Sequence, residues 1–213
     1  MKHFVFLVFV FTLIFATSCN KSSNKPANGK ANSNAEVKKG VAPIADPDIA
    51  VIEMESPAYG TIKMELYSNI APKMVARFKD LAKEGYYDGI IFHRVNQSVI
   101  QAGNADTKPG RTVNPTKEGD SGKPNVEAEF SDIPYDAGIL GAARLSDVNT
   151  ANSQFFITLK REPGFDNKYT IFGKVIEGMN NVRIIAGVPK DGEKPQEPVR
   201  IKHISIVPRD QAK

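Results

Sequence analysis

The stretch that decides the fold is Asn149-Thr150-Ala151-Asn152-Ser153-Gln154-Phe155-Phe156-Ile157. Its bulky apolar end predicts a strand from Gln154 to Thr158. Because side chains alternate between the two faces of a strand, Phe155 and Phe156 must point in opposite directions. We therefore expect Phe155 to join the core while Phe156 faces a groove on the surface.

Three further regions contain residues suited to binding a neutral peptide. They are Phe92–Val95 with the following Ile100–Gly103, Gly138–Arg144, and Phe165–Val175. Arg94 interrupts an apolar, strand-like segment, and Gln101 and Gln154 are amides that can both donate and accept hydrogen bonds. Arginine, amides and exposed aromatic rings fit a site for a peptide backbone that carries an apolar ring. The sequence shows no obvious nucleophile–base pair and no metal cluster.

Outward from these regions, short strands alternate with turns rich in Gly and Pro. Strands are predicted at 49–54, 60–67, 90–95, 99–102, 138–143, 154–158, 171–175 and 199–207. Val75, Phe78 and Leu81 recur at helical spacing after Pro72, which predicts a helix that Gly85 ends. A second helix is predicted at 179–186. Many short strands with two helices indicate a closed barrel with helical caps.

Taken in order, the four regions resemble the cyclophilin family of peptidyl-prolyl isomerases, over a range from about Ile49 to Val207. The resemblance implies a mainly β fold, a closed eight-stranded antiparallel barrel capped by two α-helices. It implies an enzyme that accelerates rotation about Xaa-Pro bonds with no covalent intermediate and no cofactor. It also implies a monomer whose partners are proline-containing polypeptides.

The same resemblance assigns roles to individual residues. Arg94 matches the catalytic arginine of the family, and Phe156 matches the phenylalanine of its proline pocket. The other substrate-binding residues implied in this way are Val99, Ile100, Gln101, Ala143, Gln154, Phe165 and Tyr169.

One departure from the family lies between Arg94 and Gln101. The chain has Val-Asn-Gln-Ser-Val-Ile there, one residue fewer than is usual. A phenylalanine that helps line the pocket in other members is absent, or its place falls at Ser98. This keeps open a second hypothesis, that of a catalytically weak cyclophilin-like domain that binds peptide as a chaperone or scaffold.

The amino terminus predicts export. Lys2 supplies a positive charge, and the apolar run from Phe4 to Ala16 is too short to span a bilayer but fits a secretory signal. Ala16-Thr17-Ser18-Cys19 resembles the lipobox of bacterial lipoproteins, in which the cysteine is lipidated. We therefore expect residues 1–18 to be a lipoprotein signal peptide and Cys19 the lipidation site. The alternative is an ordinary cleaved signal followed by an unmodified cysteine.

The next residues are typical of a spacer. Asn, Ser, Lys and Gly dominate as far as Gly40, and such a composition buries too little apolar area to fold. We predict a lipidated, flexible tether over 19–47 and an isomerase domain over 48–213. The protein would then be exported and anchored by lipid to a bacterial membrane, on the periplasmic side or at the cell surface.

Composition excludes other classes of function. The formal net charge is only +4, and basic residues interleave with acidic ones beyond the tether, which argues against nucleic-acid binding. Gly119-Asp120-Ser121-Gly122 resembles the nucleophile motif of serine proteases. His93 is, however, the only upstream histidine of the mature chain, so a catalytic triad is not expected.

Overall fold

The computed structural model describes residues 35–111 and 121–211. The signal peptide, Cys19 and most of the tether predicted above lie outside the described residues. The helices are α1 (Pro72–Lys83) and α2 (Met179–Ala186). The strands are β1 (Val37–Lys38), β2 (Asp48–Met54), β3 (Thr61–Leu66), β4 (Arg94–Val95), β5 (Val99–Ala102), β6 (Phe130–Ser131), β7 (Ile139–Ala142), β8 (Phe155–Thr158), β9 (Ile171–Glu177), β10 (Lys190–Asp191), β11 (Lys194–Pro195) and β12 (Ile201–Pro208).

Eight of these strands form one antiparallel sheet. Its order is β12-β2-β3-β9-β7-β8-β5-β4, and every neighbouring pair runs antiparallel. Alternation of side chains puts Ile52, Ile62, Leu140 and Phe155 into a single interior core. The predicted mainly β fold with two helices is confirmed.

The barrel is not fully closed, and this corrects the prediction in one detail. Within the described residues, no ladder of paired residues joins the edge strands β4 and β12; the segments that precede them are linked by an isolated bridge between Ile91 and Arg200. Two backbone hydrogen bonds flank that bridge, from Phe92 N to Val199 O at 2.9 Å and from Ile201 N to Ile90 O at 2.8 Å. Beyond it, β4 turns to the β10–β11 hairpin instead, because Val95 N donates to Glu193 O at 2.7 Å.

The two helices supply core residues as their patterns predict. In α1, Met74, Val75, Phe78 and Leu81 are all buried. The carboxylate of Glu129 accepts from the backbone N–H groups of residues 73 and 74 at 3.1 and 2.9 Å, which satisfies two donors of the first turn.

Part of the predicted tether is docked on the domain. β1 pairs in parallel with β6, and Asn69 donates its side-chain N–H to Ala42 O at 2.9 Å. Asp46 accepts from Ser68 Oγ at 2.7 Å and from Lys79 Nζ at 2.6 Å. The structure therefore places residues 37–46 against the domain, because these backbone and carboxylate groups find partners that composition does not reveal.

The Asp46 carboxyl group provides a test of this docking. Burial raises its pKa, but hydrogen bonds from Lys79 and Ser68 outweigh burial and leave the pKa below the ordinary value. A lowered folded-state pKa stabilises the fold above the ordinary pKa, and that stabilisation is lost as the pH falls through the folded-state value.

We predict that Asp46→Asn lowers the free energy of unfolding by about 2 kcal/mol at pH 7, since hydrogen bonds to charged groups are of that size. Urea denaturation of residues 35–213 at pH 7 and pH 3 would measure this, and the difference from wild type should shrink at pH 3. Asp210→Asn is the control, because exposed Asp210 has no hydrogen-bond or ion-pair partner among the described residues. Equal stability of Asp46→Asn and wild type at pH 7 would contradict the docking.

Candidate functional site

The register of the sheet places four residues side by side in one row. Arg94 of β4 lies opposite Gln101 of β5, Gln101 lies opposite Phe156 of β8, and Phe156 lies opposite Gly141 of β7. Directly opposed residues of antiparallel strands project from the same face of a sheet. The row therefore presents a guanidinium, an amide and an aromatic ring together on the outer face of the barrel.

A small pocket of about 130 Å³ lies over this row. Its lining residues are Arg94, Val99, Gln101, Ala143, Arg144, Phe156, Phe165 and Tyr169. Aromatic rings dominate one side: Phe156 contacts Phe165 and Tyr169 edge-on, with ring centroids 5.6 and 5.7 Å apart. The pocket thus has an apolar, aromatic wall and a polar edge formed by Arg94 and Gln101.

The Phe156 ring is held from behind. It is only 4% exposed and stacks on Tyr135, with centroids 5.8 Å apart and an interplanar angle of 24°. Gly141 is needed for this position, since a Cβ atom there would lie 2.3 Å from Phe156 Cζ and 2.8 Å from the Tyr135 hydroxyl. Tyr135 and Gly141 together fix how far the Phe156 ring reaches into the pocket.

A second glycine locks the segment that precedes Gln154. Gly103 has a φ of +98°, and a Cβ atom there would lie 2.4 Å from Ser153 O. This close approach lets Ser153 Oγ donate to Gly103 O at 2.9 Å, while Tyr87 donates to Ser153 O at 3.1 Å. The residue that follows β5 is thereby joined to the segment that precedes β8, next to Gln101 and Gln154.

The two glutamines form one hydrogen-bonded pair. Gln101 Nε2 donates to Gln154 Oε1 at 2.9 Å. Behind them, burial lowers the pKa of the His93 imidazole, which also hydrogen-bonds the Gln154 side chain. His93 is not among the residues that line the pocket, in keeping with a structural role.

Arg94 is oriented by a carboxylate that sequence analysis did not identify. Its Nε donates to Glu193 Oε2 at 2.5 Å, and its Nη2 donates to Glu193 Oε1 at 3.3 Å. Hydrogen bonds from Arg94 and from Asn96 hold the pKa of the Glu193 carboxyl below its ordinary value. Glu193 is therefore ionised at neutral pH, and the Arg94 side chain lines the pocket while paired with it.

Most residues expected at the site are brought together. Seven of them line the pocket, namely Arg94, Val99, Gln101, Ala143, Phe156, Phe165 and Tyr169. Gln154 adjoins it through its bond to Gln101. Cys19 lies outside the described residues.

Ile100 is a correction. It is 0% exposed and belongs to the interior core rather than to the pocket. The physical reason is the two-residue period of β5, which turns Val99 and Gln101 outward and Ile100 inward.

The structure also adds Arg144 to the site. Its guanidinium lies over the Tyr169 ring, 4.7 Å from the centroid, and donates to Lys168 O at 2.9 Å. Arg144 directly follows Ala143 in the region quoted above, so its position was open to prediction. Glu193 follows Asp191-Gly192, a dipeptide typical of hairpin turns, and this is the one signal that pointed to its location.

Two other kinds of feature are absent from residues 35–111 and 121–211. These residues hold no group of three or more His, Cys, Asp or Glu side chains arranged to bind a metal ion. None of the helices in this part of the chain is both long and apolar enough to cross a membrane. Ser121, from the protease-like motif, donates its hydroxyl to Asn152 Oδ1 at 2.5 Å.

Comparison with known proteins agrees with this geometry. Residues 50–206 match the family model of the cyclophilin type peptidyl-prolyl cis-trans isomerase. A probable peptidyl-prolyl cis-trans isomerase of Brucella suis is 39% identical over 147 residues, which cover 66% of this chain and 73% of the relative. A peptidyl-prolyl cis-trans isomerase of Schizosaccharomyces pombe is 38% identical over 154 residues, covering 72% of this chain and 96% of the relative.

A solved structure is similar as well. It is a cyclophilin type peptidyl-prolyl cis-trans isomerase of Cryptosporidium parvum, crystallised in the presence of the dipeptide Ala-Pro. It aligns with a TM-score of 0.64 and 31% identity, and covers 75% of this chain and 98% of its own.

The packing of Gly141 against Phe156 can be tested by substitution. Gly141→Ala should push the ring into the pocket and lower kcat/KM for a short Xaa-Pro peptide by about tenfold or more, because small displacements at a binding site cost large factors. The measurement is cis/trans exchange of the peptide by NMR. Gly164→Ala is the matched control, since a Cβ atom there would meet nothing within 4 Å.

Thermal unfolding of both variants should accompany the rates, because overpacking costs roughly 1–3 kcal/mol of stability. A folded Gly141→Ala variant with wild-type kcat/KM would show that the Phe156 ring position does not matter for the activity.

Proposed function

The chain belongs to the cyclophilin-type peptidyl-prolyl cis-trans isomerases, and we propose that it accelerates rotation about Xaa-Pro bonds in exported proteins and thereby assists their folding. We assign the site from one observation: Arg94, Gln101 and Phe156 form a row across three paired strands. It sets a guanidinium beside an aromatic pocket of the size of one small ring.

The reaction changes no covalent bond. Amide resonance sets a rotation barrier of about 18–20 kcal/mol, and uncatalysed Xaa-Pro exchange takes roughly tens to hundreds of seconds. In the twisted transition state the resonance is lost, and the proline nitrogen regains a lone pair that can accept a hydrogen bond. A catalyst must bind this twisted state better than either planar isomer.

Arg94 is suited to that task. Its guanidinium can donate to the proline nitrogen only when the peptide bond is twisted, so the interaction is made in the transition state and not in the ground states. Nε and Nη2 are engaged by Glu193, and within residues 35–111 and 121–211 Nη1 makes no hydrogen bond. Both N–H groups of Nη1 and the second N–H of Nη2 are thus left to donate to the substrate.

The aromatic wall supplies the second requirement, which is a fixed proline ring. Phe156, Phe165 and Tyr169 form an apolar surface against which a proline ring can pack while the preceding residue rotates. The Gln101–Gln154 pair offers amide groups to the peptide backbone. The similar Cryptosporidium structure was determined in the presence of the dipeptide Ala-Pro, which supports proline-containing peptides as ligands of this chain.

A peptide-binding module without useful turnover is the second candidate, and the turn at Ser98 favours it. Asn96 and Ser98 lie in a tight hairpin turn, where Asn96 Oδ1 accepts from the backbone N–H groups of residues 98 and 99 at 2.8 and 2.9 Å. Residues 95–98 contain no aromatic side chain, so among the described residues this turn adds no ring to the pocket. The assay below separates the two candidates.

We further propose that the domain acts outside the cytoplasm, held to a bacterial membrane through lipid on Cys19. The support is the order of the amino-terminal features: a charged start, an apolar run of signal-peptide length, small residues and the cysteine. Several acyl chains, unlike one, would hold the protein stably on a bilayer.

Arg94→Ala should lower kcat/KM on a short Xaa-Pro peptide by at least about tenfold, since a donor aimed at developing electron density is removed. Residues 35–213, wild type and variant, would be compared by NMR exchange at equal concentration, with circular dichroism to confirm folding. Arg183→Ala serves as the control, because exposed Arg183 lies on α2, away from the pocket.

A folded Arg94→Ala variant with near-normal turnover would refute the role given to the arginine. A folded wild type that does not exceed the spontaneous rate would favour the peptide-binding candidate over the enzyme.

For the anchor, Cys19→Ser should abolish incorporation of labelled fatty acid and shift the protein from the membrane to the soluble fraction of a bacterial host. Removal of the only thiol leaves no site for thioether-linked lipid. Ser22→Ala is the matched control and should stay in the membrane fraction. Label incorporation into the Cys19→Ser variant would contradict the lipidation site.

A further inference from the structure

We propose that Glu193 is a positioning residue for the isomerase: it holds the Arg94 guanidinium by one edge, so that the other edge faces the bound peptide. This inference rests on the catalytic role proposed above for Arg94. It goes beyond that role because it assigns a function to the β10–β11 hairpin, which lies far from Arg94 in the sequence.

The geometry of the pair leaves one orientation for the guanidinium. Two donors of Arg94, Nε and Nη2, reach the two oxygens of a single carboxylate, which fixes the plane of the group and not only its position. The Arg94 side chain is 47% exposed, so without this contact few neighbours would restrict its rotamers. Glu193 is absent from the pocket lining, so it acts from the far edge of Arg94.

Glu193 is itself anchored through two of its atoms, by contacts other than those to Arg94. Its backbone carbonyl accepts from Val95 N at 2.7 Å, which ties the hairpin to β4 next to Arg94. Its Oε1 accepts from Asn96 Nδ2 at 2.7 Å. Gly192, with a φ of +60°, makes the tight turn that presents Glu193 to β4.

Asn96 connects this arrangement to the shortened segment between Arg94 and Gln101. Its Oδ1 is occupied by the turn at Ser98, which aims its Nδ2 at Glu193. The short turn therefore supplies an anchor for the carboxylate in place of an aromatic contribution to the pocket. One hairpin carries the arginine and the other carries the carboxylate, and Asn96 joins them.

Stability is not the main effect of such a pair. Exposed ion pairs contribute little to the free energy of unfolding, and both partners are about half exposed. The consequence of the pair is orientation: a guanidinium with a fixed plane loses less rotamer freedom when it donates to the twisted peptide. Loss of Glu193 should therefore reduce kcat and leave KM unchanged.

The experiment is a double-mutant cycle of Glu193→Ala and Arg94→Ala, read by NMR exchange on an Xaa-Pro peptide. We expect Glu193→Ala to lower kcat about fivefold when Arg94 is present and to have no effect when Arg94 is replaced. Glu197→Ala is the matched control, since exposed Glu197 makes no ion pair in the described part of the chain. Glu193→Gln, which retains an acceptor oxygen, should fall between wild type and Glu193→Ala.

The Nε–H resonance of Arg94 gives a readout that does not depend on turnover. It should be resolved and slow to exchange with solvent in wild type, and averaged in Glu193→Ala. If wild type is active and Glu193→Ala is equally active or faster, this inference alone is overturned. The same holds if Glu193→Ala causes an equal loss whether Arg94 is present or replaced. A wild type that is inactive although its Nε–H is ordered would instead overturn the proposed function on which the inference rests.

Discussion

The strand register at the β4, β5, β8 and β7 edge is the constraint on which the rest of the site depends. It sets Arg94, Gln101, Phe156 and Gly141 in one row, so that a charge, an amide and a ring share a face without any long loop to hold them. A slip of one residue would turn every one of these side chains to the other face. The interior core makes such a slip costly, because it would expose Phe155.

The same register places the residues that stabilise the fold and the residues that form the site in different clusters. Alternate residues of β8 enter either the interior core or a smaller apolar cluster on the outer face, where Phe156 packs with Tyr135 and Val99. Because the pocket is built on this second cluster, its shape depends on a few contacts, above all those around Gly141. The catalytic chemistry needs only orientation from this scaffold, since rotation about an amide breaks no bond.

Much of the fold and of the candidate site could be predicted from the sequence. The motif around Phe156 predicted its strand, and period two separated Phe155 from Phe156, but the same rule applied to β5 would have excluded Ile100. Glu193 and the docked segment around Asp46 were not predictable, because each depends on a pairing between residues distant in the chain. Such contacts follow from closure of the fold and leave only weak local signals, such as the Asp191-Gly192 turn.

Peptide binding at this row can be tested directly. The most direct measurement is a titration of ¹⁵N-labelled residues 35–213 with an Ala-Pro-containing peptide, followed by amide and side-chain resonances. We expect the largest shifts at the pocket residues, including Arg94 Nε–H, the Gln101 side-chain amide and Tyr169. Shifts concentrated elsewhere, for example around α2 or the Lys73–Arg77 face of α1, with the pocket unaffected, would contradict it.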